Sequence, residues 1–244
     1  MDNSNLEQSA FDWVKQNKRL VIEKFADPLV HSPESEMPVS LFMAGSPGAG
    51  KTETSQLFVS IFNNKPVRID ADEIRAMCPG YEGINSSVFN KASDKGVNLL
   101  FDYCIDKKLN FILDTTFAYA GAADNIQRCL NAGRIVQIFF IYQDPKMAWI
   151  FTKARESVDR RHVPIDAFID TYFKSQENVN QIKELYKDRV KLHIIIKDIG
   201  KSPDLKLNID KIDSFIHIRY NQESLRSELL AINEEIDPHE HKNT

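Results

Sequence analysis

From residue 39 onward, short apolar runs alternate with stretches in which apolar residues recur every three or four positions. The runs at 39–44, 66–69, 110–113, 135–142 and 192–196 are β-branched or aromatic in character and too short for helices, so they predict strands. The stretches at 52–63, 86–109, 122–132, 145–159 and 165–188 predict helices between them. Such alternation makes a parallel sheet with helices on both faces, so the expected class is α/β: a doubly wound sheet of about five strands. Upstream, Leu6, Ala10, Trp13, Val14, Val21 and Phe25 share one face of a helix over 5–26, which Pro28 and the pair Ser32 and Pro33 end. The expected organisation is an N-terminal helix and linker over 1–37, a main domain over 38–200, and an extension over 201–244 with one helix near 222–235 and a polar tail. His239 and His241 in that tail read as solvated side chains.

Composition narrows the function classes. The chain has 244 residues, 42% of them hydrophobic, enough for a sizeable core. Its 31 basic and 35 acidic residues are well mixed, and a net charge of −4 disfavours nucleic acid or an anionic membrane as partner. The first ten residues lack the basic and apolar regions of a leader, and the longest apolar stretch, 135–142, is interrupted by Gln137. A cytoplasmic protein is expected. Cys78, Cys104 and Cys129 are odd in number and lack metal-ligand spacing, so they read as reduced thiols.

The first predicted strand runs into AGSPGAGKT, where Gly45, Gly50, Lys51 and Thr52 fill every fixed position of the phosphate-binding loop G-x-x-x-x-G-K-S/T. Ser46, Pro47, Gly48 and Ala49 complete the loop, whose backbone N–H groups turn inward to cradle phosphates. Lys51 reaches the β- and γ-phosphates, and the Thr52 hydroxyl ligates Mg²⁺. On parallel sheets, ligands bind beyond the carboxyl ends of the strands. Gly45, the pair Asp70 and Asp72, Asp114 and Asp144 all follow such ends, which points to one site.

Asp70 is placed to cap the helix that begins near Ala71, and Asp72 falls in its first turn, where capping and the helix dipole could account for both. A kinase has a chemical need as well: an acceptor hydroxyl must lose its proton, and Asp72 is the candidate general base. Asp114 ends the third strand, where a carboxylate either holds Mg²⁺ through water or accepts hydrogen bonds from a substrate, while Thr115 and Thr116 either join it or begin the next turn. Arg155, Arg160 and Arg161 crowd the end of one helix before Pro164. They are either ordinary partners of the helix dipole or lid arginines that stabilise the charge of phosphoryl transfer.

Together MAGSPGAGKT, IDADEIR, the strand ending LDTT, and the R-x5-R-x-x-P segment RESVDRRHVP resemble the zeta toxin family of P-loop kinases, over about residues 38–188. The resemblance implies a P-loop kinase fold and ATP- or GTP-dependent phosphorylation of a sugar hydroxyl in UDP-N-acetylglucosamine, with an antitoxin protein as a partner. It implies Lys51 and Thr52 on nucleotide and metal, Asp72 as base, Arg155 and Arg161 as lid arginines, and Asp114 and Thr116 as contacts to the sugar nucleotide. The first lid arginine is offset by about one residue. Where the best-known members carry an arginine after the third strand, an acid on the preceding helix and a threonine on the following one, this chain has Ala118, Asn98 and Ile126. The catalytic residues thus match better than the acceptor pocket. Competing readings are a same-fold kinase of a nucleoside, an antibiotic or a polynucleotide 5′ end, a nucleotide-binding switch or plain NTPase, and a degenerate binding protein, against which the intact Lys51 and Thr52 argue.

Overall fold

A computed structural model describes residues 3–26, 37–62 and 65–236. Six strands, β1 (Val39–Ala44), β2 (Val67–Asp70), β3 (Phe111–Asp114), β4 (Ile135–Gln143), β5 (Val190–Lys197) and β6 (Asp204–Lys206), form one sheet in the order β2-β3-β1-β4-β5-β6. All neighbours are parallel except β5 and β6. β1 therefore lies between β3 and β4 at the centre, where the strand order reverses and a crevice opens at the carboxyl ends.

Helices cover both faces: α3 (Lys51–Ile61), α4 (Ala71–Met77), α5 (Asn90–Asp106), α6 (Ala122–Asn131), α7 (Pro145–Asp159), α8 (Ile165–Tyr186) and α9 (Gln222–Ile236). The strands β1 to β5 are mostly buried on both sides, so they read as nearly continuous apolar runs. Alternate residues serve opposite faces. Leu41, Met43, Ile112, Phe139, Ile141 and Ile195 meet Phe58 and Val59 of α3, whereas Phe42, Phe111, Ile138, Phe140 and Ile194 enter the larger core with Leu100, Ile126, Trp149 and Phe168.

Three elements differ from expectation. The N-terminal helix is two helices, α1 (Asn3–Gln16) and α2 (Lys18–Phe25), because Asn17 leaves helical geometry and its side-chain amide donates to the Trp13 carbonyl at 2.8 Å. Both pack on α5, and Val21 and Phe25 reach the main core. Pro28, Ser32, Pro33, His239 and His241 lie outside the described residues. The long helix expected over 86–109 begins as a 3₁₀ turn at Ser86–Phe89 before α5. The segment after residue 200 carries more than one helix: β6 extends the sheet, and Ile209, Ile212, Ile216, Leu225 and Leu229 enter the main core. Its strand is three mostly exposed residues, too short for the alternation of Asp204, Leu205 and Lys206 to stand out in the sequence. Among the described residues, no helix is long and apolar enough to cross a membrane.

Candidate active site

The loop between β1 and α3 curls around its own backbone N–H groups. Gly45 and Gly48 adopt φ of +131° and +71°, which side chains rarely reach, and a Cβ at either would fall 2.4 Å from the Ile141 carbonyl oxygen or 2.0 Å from that of Ala148. The loop is thus pressed against β4 and α7. Lys51 opens α3 and folds back to donate to the Ser46 carbonyl at 2.7 Å. Burial pushes its pKa down to about 8, opposed by Asp114 and assisted by the positive charges of Arg155 and Arg161. Thr52 follows in the same first turn. Ser46 and Ala49 are buried in the loop, and Pro47 and Gly50 are partly exposed. Lys197, at the end of β5, donates to the Gly50 carbonyl at 2.8 Å and steadies the loop from the far side.

Asp70 caps α4, accepting from the Asp72 backbone N–H at 2.8 Å. It stands opposite Asp114 across the β2–β3 pair. Burial, together with that neighbouring negative charge, raises the Asp70 carboxyl to about 6, although Arg68 pulls the other way. Arg68 ties the two strands together: it pairs with Asp70 and Glu73, donates to Asp114 Oδ2 at 3.2 Å, and donates through Nε to Ser55 Oγ at 2.9 Å. Ser55 in turn donates to Asp114 Oδ2 at 2.7 Å. With its side chain 4% exposed, Asp114 is anchored beneath α3 rather than presented to the cleft.

Asp72 does not cap its helix. Its carboxylate pairs with Arg75, one turn on along α4, and with Arg161, and Arg155 Nη2 stands 4.0 Å away. Arg155 lies on α7 and Arg161 just beyond it, so residues some 83 and 89 positions downstream converge on one carboxylate. Arg160 has a different place: it adopts φ of +57°, ends α7, and its N–H bonds the Glu156 carbonyl. The turn at 78–85 forms an adjoining wall. Gly83 packs on the Asp159 carbonyl, and burial with the charge of Asp72 raises the Tyr81 pKa.

After β3 the chain is held on two sides. The Thr116 carbonyl accepts from the Gly45 N–H at 3.2 Å, and Asn178 of α8 donates to the Phe117 carbonyl at 2.9 Å. Phe117 adopts φ of +62° with its ring fully buried against Phe42. Of the three departures noted above, Asn98 is exposed on α5, Ala118 is partly exposed, and Ile126 is wholly buried in the core. Asp144 caps α7 and accepts from Tyr220, away from this cluster of charges.

Sequence reasoning passed over Arg75, Arg68, Ser55, Tyr81 and Lys197. Only Arg75 left a local signal, since i and i+3 share a helix face.

The convergence of a P-loop lysine, a carboxylate in the first turn of α4 and arginines from α7 and the connector to α8 agrees with a family match over residues 23–209. The chain belongs to the zeta toxin family. A similar solved structure, from the PezAT chromosomal toxin–antitoxin system of Streptococcus pneumoniae, is 19% identical with a TM-score of 0.63, covering 96% of this chain and 97% of that one. A second, the AvrRxo1-ORF1:-ORF2 crystal structure with ATP, is 9% identical with a TM-score of 0.58, covering 93% of this chain and 84% of that one. These likenesses establish the shared fold. No curated protein gives a significant sequence match.

Proposed function

We propose that this zeta toxin family member is a P-loop kinase that transfers the γ-phosphate of ATP or GTP to a hydroxyl of a small molecule or nucleotide sugar. UDP-N-acetylglucosamine is the leading candidate acceptor. The observation that carries the reading is the gathering of Asp72, Arg155 and Arg161 beside the P-loop lysine. A switch needs no base carboxylate facing lid arginines.

In this scheme the loop from Gly45 to Thr52 cradles the donor phosphates through backbone N–H groups, at the positive end of α3. Lys51 pairs with the β- and γ-phosphates. The Thr52 hydroxyl, in the first turn of α3, would hold Mg²⁺ together with oxygens of the phosphates, an oxygen donor set that suits this ion. When bound, Mg²⁺ neutralises charge on the phosphates. Arg161 pairs with Asp72, so Asp72 accepts the acceptor's proton only once Arg161 has turned to the γ-phosphate. The same move turns Arg155 and Arg161 to the charge that develops in transfer. Asp114 and Thr116, at and just past the end of β3, are the acceptor contacts that the family pattern suggests, and Asp114 would have to exchange its bonds with Ser55 and Arg68 to serve as one. An antitoxin that blocks this cleft is the partner suggested by the family.

Turnover of Mg·ATP with and without UDP-N-acetylglucosamine tests the reading. A kinase releases little free phosphate alone and gains a phosphorylated product when the acceptor is added. Hydrolysis at one rate irrespective of any acceptor would favour a plain NTPase.

A further inference from the structure

The two oxygens of the Asp72 carboxylate are held by different parts of the molecule. Oδ1 accepts from Nη1 of Arg75, whereas Oδ2 accepts from Nη1 of Arg161 and has Arg155 Nη2 at 4.0 Å. The two sides differ in freedom. Arg75 is 8% exposed, sits on the same seven-residue helix as Asp72, and anchors its Nη2 on Asn90 Oδ1 at 3.0 Å, at the start of α5. Asp94, farther along α5, also lies within the field of its charge. The side chains of Arg155 and Arg161 are 54% and 37% exposed, at the end of α7 and on the connector to α8. Arg75 Nε is buried with no hydrogen-bond partner, an uncompensated desolvation cost that calls for a reason.

We infer that Arg75 is a positioning residue for Asp72: it keeps Oδ1 fixed while Oδ2 is handed from Arg161 to the acceptor hydroxyl. This rests on the kinase reading. As the acceptor oxygen bonds the γ-phosphorus, the bond from that phosphorus to the β–γ bridging oxygen breaks and its electron pair leaves with the β-phosphate. The acceptor proton passes to Oδ2, the one carboxylate oxygen that departure of the lid arginines frees. Without Arg75, the carboxylate would have no fixed partner once Arg161 turns to phosphate, and it would rotate or follow the arginine.

Two measurements test this. A crystal structure of the wild-type protein with Mg·AMPPNP is expected to show Arg161 on the γ-phosphate and Arg75 still on Asp72 Oδ1. In a double-mutant cycle read by Mg·ATP turnover with water as acceptor, Arg75→Met is expected to lower kcat about tenfold with KM for ATP within about twofold. In the Asp72→Asn background the same change should cost less than about twofold, and Arg75→Lys should recover part of the loss. Equal losses in both backgrounds mark a structural role and overturn the inference, as does no loss in either. A bound nucleotide with Arg75 turned away from Asp72 overturns the inference alone. Failure of both Mg·AMPPNP and Mg·GMPPNP to occupy the P-loop overturns the kinase reading and the inference with it.

Discussion

Lys51 should make nucleotide binding fall with pH in a range where simple phosphate recognition would be flat. Its ammonium is folded onto the Ser46 carbonyl, and burial brings its pKa from the usual 10.5 down to about 8. At pH 7 the free protein holds the group charged, but at pH 9 only about a tenth remains charged. Donor phosphates favour the ammonium, so binding above pH 8 must take up a proton. Affinity for Mg·AMPPNP should then weaken about twofold by pH 8 and about tenfold by pH 9, relative to pH 7, the latter equal to about 1.4 kcal/mol. Isothermal titration calorimetry in two buffers of different ionisation heat measures both quantities, with uptake near one proton at pH 9. Stability of the free protein should move the opposite way. Because the folded pKa is depressed, the unfolded chain holds more protons between about 8 and 10.5, so this lysine's contribution to stability rises with pH across that window. Lys51→Met should abolish both trends. An affinity that stays level from pH 7 to 9 without proton uptake, or a slope that survives Lys51→Met, would refute the reasoning.

Three further outcomes are expected. Asp72→Asn should lower acceptor phosphorylation at least about 10²-fold with nucleotide affinity little changed, checked by steady-state kinetics and calorimetry; a loss of melting temperature with normal specific activity would instead mark a structural residue. Arg161→Ala should lower kcat more than it raises KM for ATP, since a lid arginine gains most of its interaction in the transition state, and Arg155→Ala should do the same more weakly. A kcat within about twofold of wild type at saturating substrates would return Arg161 to the role of dipole partner. Gly48→Ala should destabilise the fold by roughly 1–3 kcal/mol by chemical denaturation, because its Cβ would strike the Ala148 carbonyl at a φ of +71°; unchanged stability would show that the loop yields at no cost.

What the sequence conveyed was local or periodic. The loop from Gly45 to Thr52 is contiguous, its flanking strand and helix announce themselves by composition, and Asp70 as a cap depends only on its neighbour two residues on. Alternation of strand and helix was enough for a parallel sheet, but not for β6, which is antiparallel and only three residues long. The break at Asn17 depends on one side-chain amide competing for a backbone carbonyl, a choice that apolar periodicity does not record. The partners of Asp72 were hidden in part. Arg75 lay within reach of a helix-face argument, but the pairing of Asp72 with Arg161 joins residues 89 apart and needs the sheet to bring them together. Asp114 could be read as either a metal or a substrate residue; its partners Ser55 and Arg68 come from two other elements. Ile126, which stands where the family pattern has a threonine, fills the core, and its burial depends on packing that the pattern alone does not convey.

The central claim, that Asp72 and the P-loop together phosphorylate a hydroxyl, is tested most directly by mass spectrometry of a metabolite extract incubated with Mg·ATP and either the wild-type protein or Asp72→Ala. At least one metabolite should gain the mass of a single phosphate with the wild type and not with the variant, UDP-N-acetylglucosamine foremost among them. Products that are the same with both proteins, or ATP consumed with no phosphorylated metabolite formed, would contradict it.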